Sequence, residues 1–239
     1  MRVGVVAALE AEARTLGAAV RRRDGLSSVG DGALLAVGGM GSALAAIAAR
    51  KLVDAGACAL VSYGLAGGLD PTLSAGTVVL PGAIVSRDGA RLVTSAHWRD
   101  QLSLAIADQG PVAAGMLLTS SLPIDAVADK AAAFRETGAV AVDMESLAIA
   151  EVAAAHRLPC IAVRVIVDTA ADVLPRTVVA ASRAGQLHIG RFIGGLALAP
   201  VELFAVIRLA RRYRAATRSL KAVARAGLLR PLLAGARVA

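Results

Sequence analysis

Ala139-Val-Ala-Val-Asp-Met-Glu-Ser-Leu-Ala-Ile-Ala150 reads as a strand that ends in two carboxylates flanking a methionine and then turns into a helix. Taken alone, Asp143 and Glu145 are acidic groups at a helix start, where the helix dipole favours them. The same pattern recurs along the chain. Continuous apolar runs with β-branched residues occupy 3–8, 34–37, 57–63, 77–85, 112–118, 140–142 and 161–167. Ala-rich helical stretches at 11–16, 42–55, 97–108, 124–136, 145–156 and 177–198 alternate with them. This alternation predicts an α/β fold with a mixed, mostly parallel sheet covered on both faces. The chain is 56% hydrophobic but only 3% aromatic, so the core is built from Ala, Val, Leu and Ile, the composition of small-residue helices on a buried sheet.

In such sheets, ligands bind beyond the carboxyl ends of the strands, so the residues closing each apolar run are the candidates for chemistry. They are Glu10 and Glu12, the 38–42 loop, Gly64-Leu-Ala-Gly-Gly68, Ser120-Ser121, Asp143-Met-Glu145 and Asp168. Acidic residues recur at three of these ends. The Gly38–Gly41 turn lacks the third glycine of a dinucleotide fingerprint, and no Lys-Ser/Thr follows to make a phosphate loop. Ser42 is placed to cap the helix that follows. In Ala162-Val-Arg-Val-Ile-Val-Asp168, Arg164 interrupts an apolar run; an unpaired buried guanidinium is costly, so it requires an acidic partner or a cavity.

Three scattered histidines and two cysteines, Cys58 and Cys160, sit at no metal-ligand spacing, so no metal and no cofactor is expected. Reduced buried thiols and the lack of a targeting pattern point to a cytoplasmic protein. The net charge of +8 is concentrated after residue 200, where nine basic groups face Glu202 alone, while the preceding residues balance. Val206, Leu209, Tyr213, Ala216, Leu220, Val223 and Gly227 recur at helical spacing, with arginines on the other side, so 201–239 reads as a basic amphipathic extension of a 1–200 catalytic domain. Its stripe can pack on protein, or the helix can lie on an anionic membrane surface. Nucleic acid is not expected as a partner, because interleaved stacking aromatics are absent apart from Tyr213.

Several of these motifs, in this order, resemble the nucleoside phosphorylase and methylthioadenosine/adenosylhomocysteine nucleosidase superfamily. The resemblance is carried by Gly4-Val-Val-Ala-Ala-Leu-Glu-Ala-Glu12, Gly38-Gly-Met-Gly-Ser42, Gly64-Leu-Ala-Gly-Gly-Leu69 with Ala75-Gly-Thr77, Val142-Asp-Met-Glu145 and the 164–168 segment. Length, the Gly-Leu-Ala-Gly-Gly variant and the basic tail look most like the hopanoid-associated phosphorylase, or adenosylhopane nucleosidase, subgroup. The resemblance implies a single-domain, three-layer nucleoside phosphorylase-like fold, a homo-oligomer and a 5′-substituted adenosine, free or lipid-linked, as substrate. Asp168 matches the acid at the purine leaving group, and Glu12 the carboxylate that positions and deprotonates water. Glu145 matches the ribose-hydroxyl ligand, Met144 the side chain against the sugar, Gly67 a substrate-lining position and Arg164 the polar partner of Glu12.

Four positions depart from the pattern. Leu65 replaces a water- or phosphate-binding hydroxyl, Ser62 a phosphate-binding arginine, Val167 a serine, and Leu122 an aromatic that stacks on adenine. These losses weaken the phosphate site more than the water site and make the pocket greasier. Hydrolysis to adenine and a ribosyl product, ribosylhopane for the lipid substrate, is therefore expected ahead of phosphorolysis. A methylthioadenosine-type nucleosidase and a non-catalytic nucleoside-binding membrane scaffold are the remaining alternatives.

Overall fold

The β-branched run that opens the chain is buried on both faces. In the computed structural model, strand β1 (Arg2–Ala7) sends Val3, Val5 and Ala7 into one aliphatic core and Val6 into a second. A strand covered on both sides has no polar face to keep, which is why it reads as a continuous apolar run. The structure describes residues 2–17, 25–30, 32–173 and 200–229, the last group without the side chains of 200–209. The helix expected over 177–198 lies outside the described residues.

The remaining strands are β2 (Leu26–Val29), β3 (Ala33–Val37), β4 (Ala57–Gly68), β5 (Val78–Val79), β6 (Ala83–Val85), β7 (Arg91–Val93), β8 (Val112–Ala113), β9 (Met116–Thr119), β10 (Ala139–Asp143) and β11 (Cys160–Asp168). They form one mixed sheet in the order β2-β3-β1-β4-β10-β9-β6-β7, with β11 against β4 and β5, and β5 against β8. β4 is longer than its apolar run predicts. It runs parallel to β1, continues beside β11 and ends antiparallel to β10 at Gly67 and Gly68.

Two runs expected as single strands are each broken in two. Pro81 and Gly82 separate β5 from β6, and Ala114 and Gly115 separate β8 from β9. Proline contributes no N–H to a ladder, and the Gly82 N–H bonds across the bend to the Gly115 carbonyl at 2.8 Å. The two runs therefore bend side by side and link β11 to β9 and β10, curling the sheet around the end of β4. The edge strands β2 and β7 are missed in the sequence because they are short and half polar.

The helices are α1 (Glu10–Ala13), α2 (Ser42–Asp54), α3 (Ala96–Ala105), α4 (Val127–Thr137), α5 (Ser146–Ala155) and α6 (Pro200–Arg225). Residues of α2 and α5 line one core, and residues of α3 and α6 line the other, giving three layers. Ser42 begins α2 but does not cap it. Gly41 holds the cap position, and the Ser42 hydroxyl donates instead to the Met144 carbonyl at 3.0 Å.

Both readings of the α6 stripe were open from sequence; its described part packs on the body. Ala216, Leu220 and Val223 are fully buried in the same core as Val5, Val163 and Trp98. The Leu220 carbonyl accepts the buried Tyr63 hydroxyl at 2.9 Å, and the Leu228 carbonyl accepts the Trp98 indole N–H at 3.2 Å. Arg211, Arg214, Arg218, Lys221 and Arg225 remain exposed on the opposite side. No helix among the described residues is long and apolar enough to cross a membrane.

Leu220→Ala should cost about 2–5 kcal/mol, the range for emptying a leucine site in a packed core, whereas Arg218→Ala should stay within about 0.5 kcal/mol. Urea denaturation of both variants checks this, with the Leu220 variant unfolding earlier as a whole.

Candidate active site

Arg164 is the only arginine of β11 and is 1% exposed. Alternation along the strand turns Val163 and Val165 to the α3/α6 core and Arg164 to the side of α2 and α5, where Ala162 and Ile166 lie. Its acidic partner is Asp143, at the end of β10, with Nη2 and Oδ2 2.7 Å apart. Glu145 lies further off at 3.8 Å. Nη2 also donates to the Ser62 hydroxyl at 2.7 Å and to the Ser146 hydroxyl at 3.0 Å, while Nη1 reaches the Leu65 carbonyl at 3.5 Å.

Asp143 is held in turn by the Thr119 hydroxyl at 2.7 Å and by the Ser146 N–H, at the start of α5, at 3.1 Å. Ser62, which departs from the phosphorylase pattern, thus serves as a ligand of Arg164. The sequence reading noted Asp143 only as a strand-end acid; the signal that identifies it as the partner is the isolated charge in the 161–167 run, but which acid answers it depends on how β10 and β11 flank β4.

Glu12, on α1, reaches the same point of β4 as Arg164, at Gly64. Its Oε2 accepts the N–H groups of Ala8 and Leu9, both at 3.0 Å, and its Oε1 accepts the Leu65 N–H at 2.9 Å. Burial pushes this carboxyl above its ordinary range, against the pull of Arg164 and the three N–H donors. Leu65, expected to line the substrate pocket, contributes its backbone here while its side chain packs against the core shared with α6.

Two glycines of β4 make the approach possible. A Cβ at Gly64 would lie 2.5 Å from Glu12 Oε1 and 2.6 Å from Arg164 Nη1, distances no side chain tolerates. A Cβ at Gly67 would crowd the Asp168 carboxylate at 3.3 Å. Gly64 and Gly67 are three residues apart, about 10 Å along an extended strand, so β4 sets the spacing of the two carboxylates.

Asp168 closes β11 beside a register shift, opposite Gly67, and is 4% exposed. Burial raises its pKa, opposed first by Lys130, whose ammonium sits on Oδ2. Lys130, on α4, is fully buried. The sequence reading missed it, since a lysine in a mixed helix ordinarily faces water.

Glu145 accepts the Gly41 N–H at 2.8 Å and the Met144 N–H at 3.3 Å. Burial raises its carboxyl to about 7, with Arg164 opposing and Asp143 adding to the rise. Met144, half buried, is fixed by the Ser42 hydroxyl on its carbonyl. Leu122 stands apart: it is 57% exposed in the turn after β9, with its carbonyl bound to the Ser120 hydroxyl at 2.7 Å. The structure thus brings Glu12, Leu65, Gly67, Glu145, Arg164 and Asp168 together along the end of β4, with Met144 at their edge.

Chemically, this is a buried, acid-rich cluster: three carboxylates, Glu12, Asp143 and Glu145, act on the charge of Arg164. Such a site favours developing positive charge and offers a paired acid and base in dry surroundings.

Comparison with known proteins gives the same architecture. The nucleosidase for 5′-methylthioadenosine and S-adenosylhomocysteine from Neisseria meningitidis, solved with methylthio-immucillin-A, is 21% identical, with 94% of this chain and 97% of that chain covered and a TM-score of 0.68. Futalosine hydrolase of Helicobacter pylori is 15% identical over 93% of this chain and 96% of that one, with a TM-score of 0.67. A single-site mutant of the Helicobacter pylori methylthioadenosine nucleosidase, with 5′-methylthioadenosine in its active site, is 17% identical over 71% and 86%, with a TM-score of 0.64. At these identities the likeness establishes the fold. No curated protein matches the chain by sequence. The family model of the phosphorylase superfamily matches residues 4–193, and the chain belongs to that superfamily.

Proposed function

We propose that this protein is a purine nucleosidase that hydrolyses the N-glycosidic bond of a 5′-substituted adenosine. The observation that carries the reading is the pair of buried carboxylates, Glu12 and Asp168, set on either side of the glycine segment of β4. In this reading Asp168 protonates the base on one side while Glu12 directs water to the sugar on the other.

Asp168 gives a proton to N7 of the purine, the C1′–N9 bond breaks, and its electrons stay with the base. Water adds to C1′, and Glu12 takes the water's proton. The products are adenine and the free sugar, and both carboxyls reset through solvent. Bond cleavage passes through an oxocarbenium-like state, so carboxylates near the ribose act where positive charge appears. Glu145, carried on the Met144–Ser146 corner, accepts from the ribose hydroxyls, and Met144 packs against the sugar.

Water is favoured over phosphate because of Arg164. Its guanidinium is already committed to Asp143, Ser62 and Ser146, and three carboxylates lie around it. A phosphate dianion there would meet excess negative charge and no uncommitted cation among the described residues. Relatives whose structures hold 5′-methylthioadenosine or methylthio-immucillin-A support an adenine nucleoside as the substrate class.

We extend the reading to a lipid-linked substrate, adenosylhopane, with ribosylhopane as product in hopanoid biosynthesis. The subgroup resemblance and the exposed cations of α6 support it. In this form the protein works as a homo-oligomer at the cytoplasmic membrane surface, held by charge, since the described stripe of α6 is occupied by the body.

Three outcomes are expected. Release of adenine from 5′-methylthioadenosine should proceed at nearly the same rate with and without millimolar phosphate and yield the free sugar; a strict phosphate requirement with a ribose-1-phosphate product overturns the hydrolytic reading. Asp168→Asn should fold and lose at least roughly 10²-fold in kcat. Because the Glu145 carboxyl sits at about 7, KM should rise as pH falls through that value and the carboxylate takes up a proton. Glu145→Gln should raise KM at all pH and remove that dependence.

A further inference from the structure

Three charged groups around Asp168, namely Lys130, Asp172 and Arg212, have no part in the chemistry above. Lys130 reaches across from α4 and spends all three of its N–H donors on one turn of chain: on Oδ2 of Asp168 at 2.5 Å, on the Thr169 carbonyl at 2.9 Å and on the Asp172 carbonyl at 3.0 Å. A lysine ammonium with three oxygen acceptors has every N–H donor satisfied. The turn it grips is closed from within, because Asp172 accepts the Thr169 N–H at 2.9 Å and the Thr169 hydroxyl at 2.7 Å. The same Asp172 oxygen pairs with Arg212 of α6, whose side chain is 27% exposed.

A buried ammonium is expensive to desolvate, and folding tolerates it only where its partners are fixed. A solvent-facing lysine would have served α4 equally well as a helix. Its burial is explained by what it touches. Lys130 occupies one oxygen of Asp168 and leaves the other, Oδ1, to reach a ligand. When Asp168 gives up its proton it becomes a carboxylate in a site that strongly disfavours one, and the adjacent ammonium is the group that stabilises that charge.

We propose that Lys130 is a positioning residue that fixes the leaving-group acid Asp168 and supports its ionised form, and that Asp172 and Arg212 extend this support to α6. This rests on Asp168 being the acid of the proposed hydrolysis. It gives α6 a role in the reaction besides its share of the core: whatever displaces Arg212 from Asp172 loosens the turn that carries the acid.

The test is the pH profile of kcat for 5′-methylthioadenosine, measured on the full chain. Activity that needs protonated Asp168 is lost as pH rises through its pKa, and the charged groups facing it are Lys130, Asp172 and Arg212. Lys130→Met should lower kcat by roughly 10²-fold, the effect of misplacing a reacting group by about 1 Å, with KM little changed. It should also move the basic limb of the profile up by about one to three pH units, since an opposing cation has been removed. Arg212→Met should move the limb in the same direction by less.

A folded Lys130→Met protein with the limb unmoved overturns the proposal, whether kcat is unchanged or is lowered equally at every pH. If Lys130→Met does not fold, Arg212→Met decides: a raised limb supports the proposal and an unmoved one overturns it. Asp168→Asn separates the two readings. Wild-type kcat and profile in that variant remove Asp168 as the acid, whereas loss of turnover there with an unmoved Lys130→Met limb sinks only the role of Lys130.

Discussion

A guanidinium buried beside an aliphatic core is the constraint around which this molecule is arranged. Arg164 interrupts a strand of valines and isoleucines, and the cost of desolvating it is offset only if its donors and charge are answered on the spot. Asp143 answers the charge at 2.7 Å, and Ser62 and Ser146 take further donors. Each of these partners comes from a different element, β10, β4 and α5. The ion pair therefore fixes how these three meet around β11, and the Met144–Glu145 corner is carried into place with them.

The same burial shapes the chemistry. Taking Glu12, Glu145 and Asp168 out of water raises the pKa of each, and the nearby cations pull each one back. Arg164 does this for Glu12 and Glu145, and Lys130 does it for Asp168. The two cations work on opposite ends of the β4 glycine segment, so the carboxyls at its two ends have different cationic neighbours. On the proposed reading, two buried carboxyls with different cationic neighbours would let one site supply both proton donation and proton acceptance.

Helix α6 shows how one element can answer two demands. Its apolar stripe completes the core against β11 and covers Tyr63 and Trp98, while five cations stay outward. Hydrophobic burial commits the inner face. Charge on the outer face stays solvated. Arg212 lies between the two faces, where it pairs with Asp172 next to the acid.

Much of this was legible in the chain because it is written in local pattern. Buried strands read as continuous apolar runs, helices as Ala-rich periodic stretches, and the acids at 12, 145 and 168 stand out at strand ends. The requirement that Arg164 find an acid followed from desolvation alone. What the tertiary structure decided lies in contacts between distant residues. Asp143 meets Arg164 more closely than Glu145 does, at 2.7 Å against 3.8 Å, because β10 and β11 flank β4 at a register no local rule specifies. Leu65 proved useful through its N–H and not its side chain. Leu122 stands exposed, away from the acidic cluster. Pro81 and Gly82 split a run whose hydrophobicity is unbroken, since hydropathy carries no record of a missing N–H. Lys130 left no trace in sequence: burial of a lysine is set by the acceptors folding gathers around it, here from residues about forty positions away. Sequence by itself determined which groups must be buried and which carry charge; the fold decided which charge meets which, because electrostatic pairing depends on distance in space and the chain records only order.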